Sequence, residues 1–158
     1  MASAVAPTIM MSTWYRVFGT NSTEPAPAAL LEYVQAVEPG TTAAFKGDSE
    51  GWFQAEVVCR DATVVLERFL ASEEGIRAEL NNWAAWIETV EGHPQRDRLM
   101  RHMIGTSQLF TLRSPLGEAG MKALCLAACR FLAAATEGVF QVDDEGFFAA
   151  DGTSLIKE

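Results

Sequence analysis

Histidine is nearly missing from this chain: only His93 and His102 occur in 158 residues. So few leave little for general acid–base or nucleophilic chemistry, and little for a zinc or iron centre. Cysteine is also scarce. Cys59, Cys125 and Cys129 are an odd count without paired spacing, which argues against a disulfide framework and predicts reduced thiols in the cytoplasm. Basic residues number 12 against 21 acids, a net charge of -9 with a pI near 4.7. That surplus repels phosphate backbones and anionic bilayers, so neither nucleic acid nor a membrane is an expected partner. Long apolar runs are missing too. Gly120 to Ala135 is the nearest candidate, and Lys122 and Arg130 interrupt it, short of the roughly 18 residues a membrane helix needs. The first dozen residues lack a basic, apolar leader, and residues 1–12 read as a disordered tail. No nucleophile elbow, phosphate loop, dinucleotide fingerprint or zinc-protease helix is present.

What is present is an ordinary globular composition, 49% apolar and 21% charged, in one domain spanning 1–158. The chain also carries a repeat. Phe45-Lys46-Gly47-Asp48-Ser49-Glu50-Gly51-Trp52-Phe53-Gln54-Ala55-Glu56 returns as Phe140-Gln141-Val142-Asp143-Asp144-Glu145-Gly146-Phe147-Phe148-Ala149-Ala150-Asp151. The same shift sets Tyr15 on Phe110, Val17 on Leu112, Leu31 on Leu126 and Val37 on Leu132. Two related halves follow, about 13–70 and 107–157.

Local patterning supplies the elements. Thr13 to Gly19 alternates at strand period. Leu30, Leu31, Val34 and Val37 share one face of a helix over about Ala28 to Val37, which Pro39-Gly40 ends. Thr42 to Lys46 and Gly51 to Cys59 form a hairpin closing on a glycine in the left-handed region, and Gly146 takes that position in the copy. A further strand runs from about Thr63 to Leu70. Ser72-Glu73-Glu74 reads as a helix start, and Ile76, Leu80, Trp83, Ile87 and Val90 recur at helical spacing behind it. Leu99, Met100, Met103 and Ile104 mark a shorter helix from about Gln95. A strand from Gln108, a long alanine-rich helix over Pro115 to Thr136, the copied hairpin and a strand at Ser154 to Lys157 complete the chain.

The fold class this predicts is α+β. Duplicated β-α-β-β(-β) halves form an antiparallel or mixed sheet, with two inserted helices (about 72–104) between them. The order strand-helix-strand-strand-strand resembles the paired modules of the vicinal oxygen chelate (glyoxalase and bleomycin-resistance) families. Its shorter form resembles the gyrase-inhibitor-like effector-binding domains. Size, acidity and mixed content also resemble the small acidic secretion chaperones. The first resemblance implies a metal on strand-borne His and carboxylate side chains. Here both histidines fall in the inserted helices, so no metal and no cofactor is expected, and an enzyme on that fold would be metal-free.

Strand alternation nominates a site. After Gly51, the residues Phe53, Ala55, Val57 and Cys59 form an apolar face, while Trp52, Gln54, Glu56 and Val58 form a mixed one. Trp14, Arg16 and Phe18 are the matching face of the first strand, and the repeat adds Phe147, Ala149 and Asp151. The expectation is a groove walled by Trp14, Trp52 and Phe147, with Arg16, Gln54, Glu56 and Asp151 as polar groups, which is the composition of a small-molecule pocket. A second candidate is the lone basic cluster, where Arg98, Arg101 and His102 fall on one side of their helix and could meet an anion or an acidic partner. The function read from these residues is a small cytoplasmic binding module, leaning away from catalysis. A protein-interaction or chaperone-like role and a metal-free enzyme are the alternatives, with a homodimer among the partners left open.

Overall fold

The computed structural model describes residues 12–115 and 119–158. The expected disordered tail thus lies outside the described residues, except Ser12, which opens the first strand. Twelve elements follow in order: β1 Ser12–Gly19, α1 Pro27–Gln35, β2 Thr42–Asp48, β3 Gly51–Cys59, β4 Ala62–Leu70, α2 Ile76–Glu88, α3 Arg96–Ile104, β5 Gln108–Pro115, α4 Ala119–Ala135, β6 Val139–Val142, β7 Gly146–Ala149 and β8 Ser154–Lys157. The chain is α+β. Its eight strands form one open sheet in the order β2-β3-β4-β5-β1-β6-β7-β8, and every pairing is antiparallel.

Both halves run β-α-β-β-β, yet the sheet does not treat them alike. β6 follows its helix and pairs with β1, whereas β2 follows its helix and lies at the sheet edge. The hairpin registers differ as well. Asp48 faces Gly51 across one turn, and Val142 faces Gly146 across the other, so the second loop is one residue longer. Since side chains alternate with a period of two, a one-residue offset reverses which side chains share a face. The two hairpin glycines do match: Gly51 and Gly146 both have positive φ, 105° and 122°, a region that costs a glycine nothing.

Two cores sandwich the sheet. On the first face, Leu30 and Val34 of α1 and Met121, Leu124, Cys125, Ala128, Cys129 and Leu132 of α4 pack on Tyr15, Val17, Ala55, Val57, Val64, Leu66, Phe110 and Leu112. On the second, Leu80, Ala84 and Ile87 of α2 and Leu99 and Met103 of α3 pack on Phe18, Leu109, Val139, Phe147, Leu155 and Ile156. The strand residues of this second core come from β1, β5, β6, β7 and β8, and none from β2, β3 or β4. The inserted helices therefore cover one half of the second face and leave the other half open.

Two helix starts deviate from expectation. α2 starts after Gly75, which has φ +86°, and not at Ser72. Glu73 instead accepts the backbone N–H of Leu70 at 2.6 Å, tying the strand end to the following turn. Pro115 belongs to β5 rather than to the long helix.

Candidate binding face

On the open half, strand register sets the side chains in rows. One row crosses the sheet as Lys46, Gln54, Glu67, Thr111, Arg16 and Gln141. The next row is Ala44, Glu56, Val65, Arg113 and Trp14. Neighbouring positions in a row are about 5 Å apart, so these groups act on one surface. Among the described residues Lys46, Glu56 and Glu67 have no side-chain hydrogen bond or ion pair. Their charges are turned to solvent.

Trp14 sits between two guanidinium groups, that of Arg16 at 5.8 Å and that of Arg113 at 5.5 Å from its ring centre. Arg16 marks the border of the open half, because Trp83 of α2 lies over it at 5.0 Å. Its charge is satisfied: Nη1 donates to Asp143 Oδ1 at 2.7 Å and to Gln141 Oε1 at 2.8 Å. The fully buried Gln141 passes its amide hydrogens to Asp143 and to Glu158. Arg16 is thus an anchored post, while Arg113, exposed beside it, keeps its donors toward solvent.

The far end of this surface opens into a cleft of about 510 Å³ lined by Asp48, Glu50, Glu67, Glu73, Phe53 and Phe69, among others. Phe53 is 45% exposed, an unusual position for an aromatic ring in a strand; Phe69 lines the cleft with it, and Val58 and Val65 are half-buried farther along β3 and β4. Apolar side chains and carboxylates therefore alternate over β3 and β4.

The structure relocates several residues of the expected groove. Trp14, Arg16, Gln54 and Glu56 do share the second face. Trp52 does not: it is 3% exposed and belongs to the first core. A β-bulge is the cause. Gly47 pairs with Trp52, but Lys46 pairs with Gln54, so Phe53 is the extra residue and the alternation restarts behind it. The expected apolar set of Phe53, Ala55, Val57 and Cys59 accordingly loses Phe53 and gains Trp52. The indole is then fixed by Phe45 at 5.3 Å and Phe110 at 5.8 Å, and its Nε1–H donates to the Pro25 carbonyl at 2.8 Å. Phe147 is on the second face but fully buried under α2, against Phe18, Trp83 and Trp86. Asp151 lies in the turn after β7, exposed, where the backbone N–H of Thr153 holds its carboxyl below the usual range. It does not join the face.

The basic cluster also separates. Arg98 and Arg101 are exposed, and Arg98 reaches Gln95. His102 turns inward, with Nε2 2.9 Å from the Phe18 carbonyl, and burial lowers its pKa. The ring is therefore a neutral donor tying α3 to β1 rather than a surface cation. Arg77, on α2, spends its guanidinium on the carbonyls of Ile104 and Thr106 at the end of α3.

Sequence reasoning missed two groups. Glu67, Thr111 and Arg113 belong to the open face, and the alternation used for β3 finds them once it is applied to β4 and β5. Arg68 is the other. It is buried at the end of the first core, where it donates to Gln108 Oε1 and to the carbonyls of Glu50 and Trp52 and lies 5.9 Å from the Trp52 ring. Gln108 in turn donates to the carbonyls of Asn21 and Thr23. This node ties the loop after β1 to the β2–β3 turn, and no pattern in the sequence announces it.

The thiols are stored in the core. Cys59, Cys125 and Cys129 are free and buried. Burial pushes the Cys125 thiol up to about 12 and raises Cys129 and Tyr15 as well. These groups stay protonated, which makes them poor nucleophiles. No cluster of three or more His, Cys, Asp or Glu side chains among the described residues is placed to hold a metal ion. No helix among them is long and apolar enough to cross a membrane. Comparison with protein-family models, with curated proteins and with solved structures finds no match to this chain.

Proposed function

We propose that the chain is a non-catalytic protein-interaction module, and that its working surface is the open half of the second face. The observation that supports this reading is the one-sided cover: α2 and α3 pack on β6–β8 and on one end of β1 and β5, at Phe18 and Leu109, and their core takes nothing from β2–β4. The exposed half offers Phe53, Val58, Val65 and Phe69 between the unpaired carboxylates of Glu56 and Glu67, and continues into the cleft that adds Asp48, Glu50 and Glu73. A basic, amphipathic segment of a partner protein complements such a surface: its apolar side chains cover the aromatic floor and its cations meet the acids. The net charge of -9 draws such a segment in from a distance. Selection from a randomised peptide library tests the reading. It predicts enrichment of sequences that mix Lys or Arg with aromatic or aliphatic residues, with binding lost on Phe53→Ser or Glu67→Lys. Enrichment of acidic sequences, or binding indifferent to both substitutions, would sink it.

A second reading has one specific observation in its favour. The Trp14 ring between Arg16 and Arg113 is a platform for a flat or anionic small molecule. It keeps Trp14, Arg16, Gln54 and Glu56 of the expected groove, but without Trp52 as a wall. Trp14→Ala separates the two: it abolishes binding of such a ligand and leaves a peptide anchored on Phe53 in place.

A further inference from the structure

The two edges of the sheet are not finished alike. β8 is 4 residues long, its Leu155 and Ile156 are buried, and a bulge between Phe147 and Phe148 interrupts its ladder with β7. Short, bulged edges resist further pairing. β2 is 7 residues long, and its ladder with β3 is regular over 42–46. Thr42, Ala43, Ala44 and Phe45 carry no charge and include no proline. Lys46 and the bulge beside it protect only the hairpin end of this edge.

Strand pairing fixes which backbone groups of β2 are free. Cys59 faces Ala62 across the turn of Arg60 and Asp61, and the pair that closes such a turn is hydrogen-bonded. Alternation along β3 then aims the N–H and C=O of Gln54, Glu56 and Val58 at β2, where they meet Lys46, Ala44 and Thr42. Ala43 and Phe45 therefore turn theirs outward, and among the described residues neither has another backbone partner. Free backbone groups at this spacing match one kind of occupant, an added strand.

Side chains define that strand's sequence. On the first face of the edge, Leu31 of α1 and Ala43 and Phe45 of β2 are half-buried. They border a gap in the first core that apolar side chains alone line. A strand paired with β2 sets two alternate side chains against them, and apolar ones extend the core. The side chain between those two lies on the second face, beside the methyl of Ala44. Beyond Ala44 in the same row is Glu56, exposed and without a side-chain partner. Strand spacing places Glu56 about 10 Å from the new backbone, a gap that a Lys or Arg stem and the glutamate span together. A second copy does not supply this base: a two-fold pairing centred on Ala44 sets alanine against alanine, and the charge of -9 on each chain opposes it. We infer that the free edge of β2 takes an extended, antiparallel segment of a partner protein, with apolar residues at two alternate positions and Lys or Arg between them. This seat is separate from the cleft at Phe53 and stands whether or not that cleft binds.

The probe is the peptide Ser-Thr-Val-Lys-Val-Thr-Ser, blocked at both ends and titrated to millimolar concentration into the labelled full chain by NMR. The expected result is saturable binding that slows exchange of the Ala43 and Phe45 amides. N-methylation of the two valines removes the N–H groups that face β2 and should weaken binding by about tenfold or more. N-methylation of the lysine, whose N–H points away, should change it little. Replacing the peptide's lysine by glutamate should weaken binding by about two- to fivefold, and Glu56→Lys should recover it. Phe53→Ser should leave this binding unchanged, so the edge and the open face are tested apart. No binding at millimolar peptide, equal loss with either N-methylated form, or a loss on charge reversal that Glu56→Lys does not recover would each overturn the proposal. So would slow exchange of the same amides in the free chain that grows with protein concentration, which would assign the edge to a second copy.

Discussion

Trp52 and Gln54 are two positions apart on β3, yet they face opposite sides of the sheet. In a regular strand they would share a face. The bulge at Phe53 separates them, with Gly47 opposite Trp52 and Lys46 opposite Gln54. One extra residue thereby sends the indole into the first core and leaves Phe53 on the surface. It also sharpens the division of labour on β3, whose inner side is wholly apolar from Trp52 to Cys59 while Gln54 and Glu56 stay outside.

If Trp52 is a core residue, Trp52→Ala should destabilise the protein by about 3–5 kcal/mol, because it removes a large buried ring and leaves a cavity beside Phe45 and Phe110. Glu56→Ala, on the exposed side of the same strand, should stay within about 0.5 kcal/mol. Urea unfolding of the two variants measures both. Equal losses would mean that β3 has no preferred inner side.

The Arg68 node should be costly to dismantle. Arg68→Met keeps most of the aliphatic stem but leaves Gln108 Oε1 and the carbonyls of Glu50 and Trp52 without their donor. Each buried acceptor left unpaired costs about 1–3 kcal/mol. The same denaturation experiment should therefore show a loss, accompanied by faster amide exchange in the loop at residues 21–26. A neutral substitution would show that water replaces the guanidinium without penalty.

Stability should fall at alkaline pH. Burial raises the pKa of Tyr15, of Cys125 to about 12, and of Cys129. A folded-state pKa above the unfolded one means that the folded chain holds its protons longer. The contribution is present in full below the unfolded values, near 9 for a thiol and 10 for a phenol, and is lost as pH rises through the folded ones. The unfolding midpoint should be flat to about pH 8 and decline above about pH 9, and less so in Cys125→Ala/Cys129→Ala. A midpoint that rises with pH over that range would contradict the burial of these groups.

Much of this fold was legible in the sequence. Period-two alternation from Thr13 to Gly19 and helical spacing from Ile76 to Val90 located β1 and α2, because hydrophobic patterning reports which side of an element is buried. The pattern could not report the strand neighbours. The repeat equates the two hairpins, but a turn longer by one residue and a different neighbour for β2 are settled by long-range packing, which leaves no local trace. The groove residues show the same boundary. Trp14, Arg16, Gln54 and Glu56 followed from alternation, and Trp52 failed because a bulge resets the count. Gly47, whose added Cβ would press on the backbone of Gly51 and Trp52, is the one local sign that the chains approach closely there.

The central claim is that the uncovered half of the second face is where a partner binds. It is tested most directly by backbone-amide and methyl NMR of the labelled protein, titrated with the tightest peptide selected from the library. The account predicts saturable shifts centred on Phe53, Val58, Val65, Glu67 and Phe69, weakened by added salt and erased by Phe53→Ser, with the fold intact. Shifts centred instead on the outer faces of α1 and α4, or on the β8 edge, would contradict it.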